Sequence, residues 1–135
     1  MIVSWVMHMS TFSIPVIYKH SKADLGTRVL LPIHELLYLR VFGKLICFYG
    51  IHRKEYVLQA SLADWRILLE GLPFEEVDRG VLVNVDNVAF GYTDLQQLHF
   101  GPNAEGAFCM IAGAHIQRFQ RQYPHIPFHE SGRLL

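Results

Sequence analysis

The sequence predicts a predominantly β domain with helical covers. Short runs of β-branched and aromatic residues recur along the chain, each bounded by Gly, Pro, Asn or Asp, which is the pattern of strands joined by tight turns. Only one stretch, after Ser61, has strong helical spacing. The chain is 135 residues long, 51% apolar and 18% charged, which is enough material for one well-buried domain and too apolar for a disordered one.

Taken in order, strands are expected at Phe12–Lys19, Arg28–Leu31, Leu37–Phe42, Leu45–Ile51, Glu55–Gln59, Val81–Asn84, Val88–Tyr92, Leu95–Phe100 and Phe108–Ala112. Gly43-Lys44, between two such runs, reads as a hairpin tip. The mid-chain helix is capped by Ser61 with Asp64 three residues on, and Leu62, Trp65, Leu68, Leu69 and Leu72 fall on one face. Gly71 and Pro73 stop it. A second helix is expected at Ala114–Gln122, with Ile116 and Phe119 turned to the core and Arg118 and Arg121 to solvent. The turn-rich segments are His20–Gly26 and Gly101–Gly106. Strands interrupted by one helix and followed by another fit sheets with helices packed on them.

Composition narrows the function. The formal net charge is zero, which argues against a generic polyanion binder. The balance hides an asymmetry, however. From Ile17 to Lys54, seven basic residues (Lys19, Lys22, Arg28, Arg40, Lys44, Arg53, Lys54) face Asp24 and Glu35, a net of +5; from Phe74 to Glu105, six acidic residues face Arg79 alone, a net of −5. Cys47 and Cys109 each lie in an apolar run and are expected to be buried free thiols. The opening MIVSWVMHM lacks a basic n-region and falls short of the ~20 apolar residues of a membrane span, so a cytoplasmic protein without membrane contact is expected. No glycine-rich phosphate loop, nucleophile elbow or paired carboxylates are present, and Glu75 and Glu76, being adjacent, would face opposite sides of a strand. No enzyme activity and no cofactor are expected. His125 and His129 are four apart, but Pro127 between them forbids a helical ligand pair, so no metal site is expected.

The stretch SLADWRILLEGLPFEEVDRGVLVNVDNV, Ser61 to Val88, resembles the signature region of LytTR DNA-binding domains: an "SL…L" helix, a phenylalanine (Phe74), an arginine-containing turn (Arg79), then Leu82-Val83-Asn84 and a hydrophobic strand. Leu31 to Tyr49 resembles the family's opening strand, loop and second strand, and FCMIAGAHIQRF its terminal strand and basic turn. The resemblance covers roughly Thr27 to Phe119, and it implies a mainly β fold of small packed antiparallel sheets with one mid-chain and one C-terminal helix. It divides the chain into an N-terminal extension (1–26) packed on the domain, a LytTR-like domain (27–122) and a C-terminal tail (123–135), the tail either packed or frayed. Such domains reach DNA from loops between strands, in successive major grooves.

Four DNA-binding positions follow from the resemblance. Lys44 lies in the first hairpin loop, Arg79 in the arginine turn, and His115 near the terminal basic turn with Arg118 one helical turn on. Where the family has histidine and serine around that arginine, this chain has Asp78 and Gly80; the basic residue before it is Glu76, and the terminal "SR" is Gly113-Ala114. Arg79 can clamp guanine or phosphate through two hydrogen bonds, or instead pair with Glu76 or Asp78 in its own domain. Lys44 reads either as a DNA contact or as a solubilising residue, and His115 as a contact to phosphate or to a carboxylate of its own surface. Asn84 reads as structural, its amide bonding backbone near Asp86 and Asn87.

The expected function is sequence-specific binding of double-stranded DNA as a transcriptional regulator. No receiver domain fits before Thr27, so control is expected from protein level, a partner or a small molecule. A homodimer on paired half-sites would double the contacts. The alternative is a LytTR-like module that has lost its DNA contacts and binds a regulatory protein or a ligand, as the acidic Phe74–Asp78 segment and zero net charge suggest. In a further reading, Met1–Lys22 serves as a sensing or dimerisation element.

Overall fold

A computed structural model describes residues 13–19, 25–60, 62–104 and 106–132. Readings that fall on residues 1–12, 20–24, Ser61, Glu105 and 133–135 lie outside the described residues, including the Ser61 cap and the apolar N-terminal run.

Eleven strands and two helices are described: β1 (Ser13–Lys19), β2 (Leu25–Pro32), β3 (Leu36–Phe42), β4 (Leu45–Gly50), β5 (Glu55–Gln59), α1 (Leu62–Leu68), β6 (Phe74–Asp78), β7 (Val81–Asn84), β8 (Val88–Tyr92), β9 (Gln97–Phe100), β10 (Phe108–Met110), α2 (Gly113–Gln122) and β11 (Phe128–His129). The first seven strands form one antiparallel sheet in the order β2-β1-β5-β4-β3-β7-β6. The remaining four form a second sheet, β10-β9-β8-β11, antiparallel except for β11, which runs parallel to β8. The fold is thus mainly β with two helices, as the sequence predicts.

Each sheet builds its own core, and the strand period of two explains how one segment serves both. In β3, Leu39 faces a first core with Ile14, Ile46, Phe48 and Leu82, while its neighbour Tyr38 packs against a second with Val83, Leu98, Phe100 and Ile111, which Leu37 joins from a bulge in the β3–β4 register. Strand β7 is divided in the same way, and all four of its residues are buried. Helix α1 closes the first core with Trp65, edge-on to Phe48 at 5.1 Å, and with Leu69. Gly71, at φ 84°, turns the chain out of the helix. Helix α2 closes the second core with Phe119 and the half-buried Ile116, leaving Arg118 and Arg121 exposed as its periodicity requires.

Two strands escape a reading by pattern. Strand β6, FEEVD, carries three carboxylates in five residues and has little strand propensity, yet it is held along the fully buried β7. Strand β11 is two residues beside Pro127, formed because the chain after α2 returns to the free side of β8. There the Phe128 ring lies against Gly91, where an added Cβ would stand 2.4 Å from it. Conversely, Leu95 and Gln96 belong to a turn and not to β9, with Gln96 at φ 53°. Cys47 and Cys109 are both free; Cys109 is buried in the second core, whereas Cys47, expected to be buried, is only half-buried because it faces away from Phe48 on β4.

Candidate functional site

The strand register brings the β3–β4 tip and the β6–β7 turn to one end of the larger sheet. Arg40 of β3 stands opposite Val81 of β7, and the Val41 N–H donates to the Gly80 carbonyl at 2.9 Å. Gly43 (φ 63°) and Gly80 (φ 74°) supply the left-handed corners that both turns need. Lys44 and Arg79 are exposed on these neighbouring turns. The Arg79 turn is braced internally, because the Asp78 carboxylate accepts the Arg79 backbone N–H at 2.7 Å.

The start of α2 reaches the same strand from the other side. The Ala112 N–H donates to the Val77 carbonyl at 2.8 Å, so α2 sets off directly beside β6. Arg118 then donates to His115 Nδ1 at 2.7 Å and to the Glu76 carbonyl at 3.4 Å, and lies 3.6 Å from the Glu75 carboxylate. Since a guanidinium can only donate, Nδ1 of His115 is the acceptor and its proton sits on Nε2. The Tyr123 hydroxyl donates to Glu75 at 2.9 Å; burial, together with that carboxylate, pushes its phenol up to about 12.

The three carboxylates of β6 therefore all have partners within the domain. Glu75 takes Tyr123 and Arg118 on one side of the strand, and Glu76 takes Arg66 of α1 on the other, facing opposite ways as adjacent strand residues must. Asp78 is spent on its own turn. Neither Glu76 nor Asp78 pairs with the Arg79 guanidinium, which makes no ion pair or side-chain hydrogen bond among the described residues. Of the four residues singled out by sequence, Lys44 and Arg79 are presented outward, whereas His115 and Arg118 are joined to each other and, through Arg118, to β6.

Arg40 was not singled out, although the alternation in LLYLRVF places it with Tyr38 and Phe42 on the side opposite Leu39. Its guanidinium stands 5.1 Å over the Phe42 ring, and it lines a hollow of about 320 Å³ with Tyr38, Asp78, Val81 and Phe108, beside the Arg79 turn. Asn84 is structural, as expected, but through distant partners. It is 2% exposed, and its amide donates to the carbonyls of Ile33 (3.1 Å) and Leu36 (2.9 Å), 51 and 48 residues away, instead of capping its own turn. Asn87 does the same for His34 and Leu36. No three His, Cys, Asp or Glu residues gather as metal ligands would among the described residues, and no described helix is long and apolar enough to cross a membrane.

No known family's sequence profile matches this chain. Nor does any curated protein. Among solved structures, the chain is similar to the LytTr DNA-binding domain of a Bacillus cereus protein described as a methyl-accepting/DNA response regulator. The TM-score is 0.57 at 16% identity, over 80% of this chain and 95% of that one. The class that results is a LytTR-like fold. At this identity the likeness is one of architecture, which the two chains build from largely different residues.

Proposed function

We propose that this protein binds double-stranded DNA sequence-specifically and acts as a transcriptional regulator, reading the major groove with the turns at one end of its larger sheet. The observation that carries this reading is Arg79. It is exposed on a turn beside Lys44 whose backbone Asp78 braces, while Glu75 and Glu76 are paired with Arg118 and Arg66. A guanidinium with no partner among the described residues, on a turn whose backbone is braced, suits bidentate contact with guanine. In this reading Lys44 supplies a phosphate or base contact, and His115, through its Nε2–H, together with Arg118 grips the backbone. The likeness to a DNA-binding domain of the same fold supports it.

The same reading treats residues 27–122 as the DNA-binding domain, with 1–26 and 123–135 as extensions packed on it. It places the protein in the cytoplasm, as a homodimer on paired half-sites. One observation favours the alternative of a protein-binding module: Arg66 and Arg118 are committed to Glu76 and Glu75 and add little positive field to this end.

The deciding experiment is selection from random duplexes followed by anisotropy titration at two salt concentrations. An enriched sequence whose affinity falls with salt, and falls roughly tenfold to a hundredfold in Arg79→Ala, is expected for a bidentate base contact. A folded protein that enriches nothing would instead mean that the LytTR-like scaffold serves a protein partner.

A further inference from the structure

On its outer side, away from Leu39 and Phe48, the larger sheet carries the second core only at its β3–β7 end, where Tyr38, Val81 and Val83 pack; across β2, β1, β5 and β4 and at the tip of β3, neither core takes that side up. The register arranges it as a grid. One row runs Leu30, Pro15, Gln59, Leu45, Phe42 across β2, β1, β5, β4 and β3; the next runs Arg28, Ile17, Val57, Cys47, Arg40. Ile17, Leu30, Phe42, Leu45 and Val57 pack into neither core, and Leu30, Phe42 and Leu45 are 68%, 51% and 43% exposed. Two hollows of about 460 and 390 Å³ indent this side of the sheet and share Ile17 and Leu58. The second row is thus an apolar trough with an arginine at each end.

The complementary pattern is on the same chain. Ile67 of α1 is 72% exposed, the most exposed large apolar side chain described. Asp64 and Glu70 stand three residues before and after it, on the same exposed face. An apolar side chain between two carboxylates complements, in charge, an apolar row between two arginines.

We infer that copies of this chain associate head to tail, with Ile67 of one copy seated over Ile17, Val57 and Cys47 of the next and Asp64 and Glu70 facing Arg28 and Arg40. Trp65 and Leu69 fix α1 to the inner side of the sheet, so knob and trough point in opposite directions from one rigid domain. Two copies cannot satisfy both contacts about a two-fold axis. The interface is heterologous: it extends a row of copies, and it is a different contact from the two-fold pairing proposed on DNA half-sites. It requires no DNA.

The test is sedimentation velocity of the full chain without DNA, over a wide concentration range and at low and high salt. The expected result is a mass that grows with concentration beyond two subunits and falls with salt. Ile67→Asp, which removes the knob, and Leu30→Glu, which sets a carboxylate beside Ile17 and Arg28 at the edge of the trough, should each sediment as monomers. Mixed together, they should form a one-to-one complex that stops at two subunits, because each retains the half the other lacks. Arg28→Glu, which disturbs no apolar packing, provides a second trough variant and should weaken association at least tenfold. Circular dichroism checks that every variant is folded. A wild type that stays monomeric throughout, self-association that survives Ile67→Asp, or a mixture that forms no complex would each overturn the inference.

Discussion

Asn84 shows how much one side chain can organise here. Its amide holds the turn between β2 and β3 by donating to Ile33 and Leu36, while its Oδ1 is buried without a hydrogen-bond partner among the described residues. Burying an unpaired oxygen is costly, so the two donated bonds must outweigh it. Asn84→Ala would leave the Ile33 carbonyl without its amide donor and open a small void. A loss of about 1–3 kcal/mol is expected in urea unfolding, with the fold otherwise retained. The buried thiol of Cys109 is a different case: burial pushes it up to about 12, so it stays protonated and inert at neutral pH.

Among the elements, the β4–β5 hairpin carries visible strain. Its two central residues, His52 (φ 60°) and Arg53 (φ 59°), are both left-handed, and Lys54 N–H closes the turn onto the Ile51 carbonyl at 3.3 Å. Two-residue hairpins want this backbone because it matches strand twist, but they normally fill it with Asn-Gly. Arg53→Gly should therefore raise stability by about 1 kcal/mol, read as a higher thermal midpoint. The docking of β11 has the opposite sensitivity. Gly91 N–H donates to the Pro127 carbonyl at 2.9 Å, and the Phe128 ring occupies the space a side chain would need. Gly91→Ala should displace that ring at a cost of about 1–3 kcal/mol, and should make the chain beyond α2 the first site of proteolytic cleavage.

At the scale of the whole molecule, the two cores are mechanically one. Strands β3 and β7 place alternate residues in each, so neither core can open without disturbing the strands that wall the other. Leu39→Ala in the first core and Leu98→Ala in the second should each cost about 2–5 kcal/mol, both residues being fully buried. Both variants should still unfold in a single calorimetric transition with matching spectroscopic melts. Two separated transitions would mean that the sheets are independent units. The same shared strands carry the Lys44 and Arg79 turns, so the candidate site is built on strands common to both cores.

What the sequence determined by itself was local. Alternation located most strands, spacing found both helices, and Gly71, with Pro73 after it, marked the end of α1, because these signals arise from neighbours along the chain. The resemblance of the arginine turn and the following Leu-Val-Asn to a known domain type anticipated the fold, and it singled out Arg79 as the residue to watch. Only the tertiary structure decided what surrounds that residue. Glu76 looked like a partner for Arg79 because it is three residues away, yet it pairs with Arg66, ten residues back on a helix. Strand β6 was hidden for the same reason, since its pairing energy comes from β7 and not from its own acidic residues. Partner choice among charged side chains depends on distances through space, and those are set only when the sheets have closed.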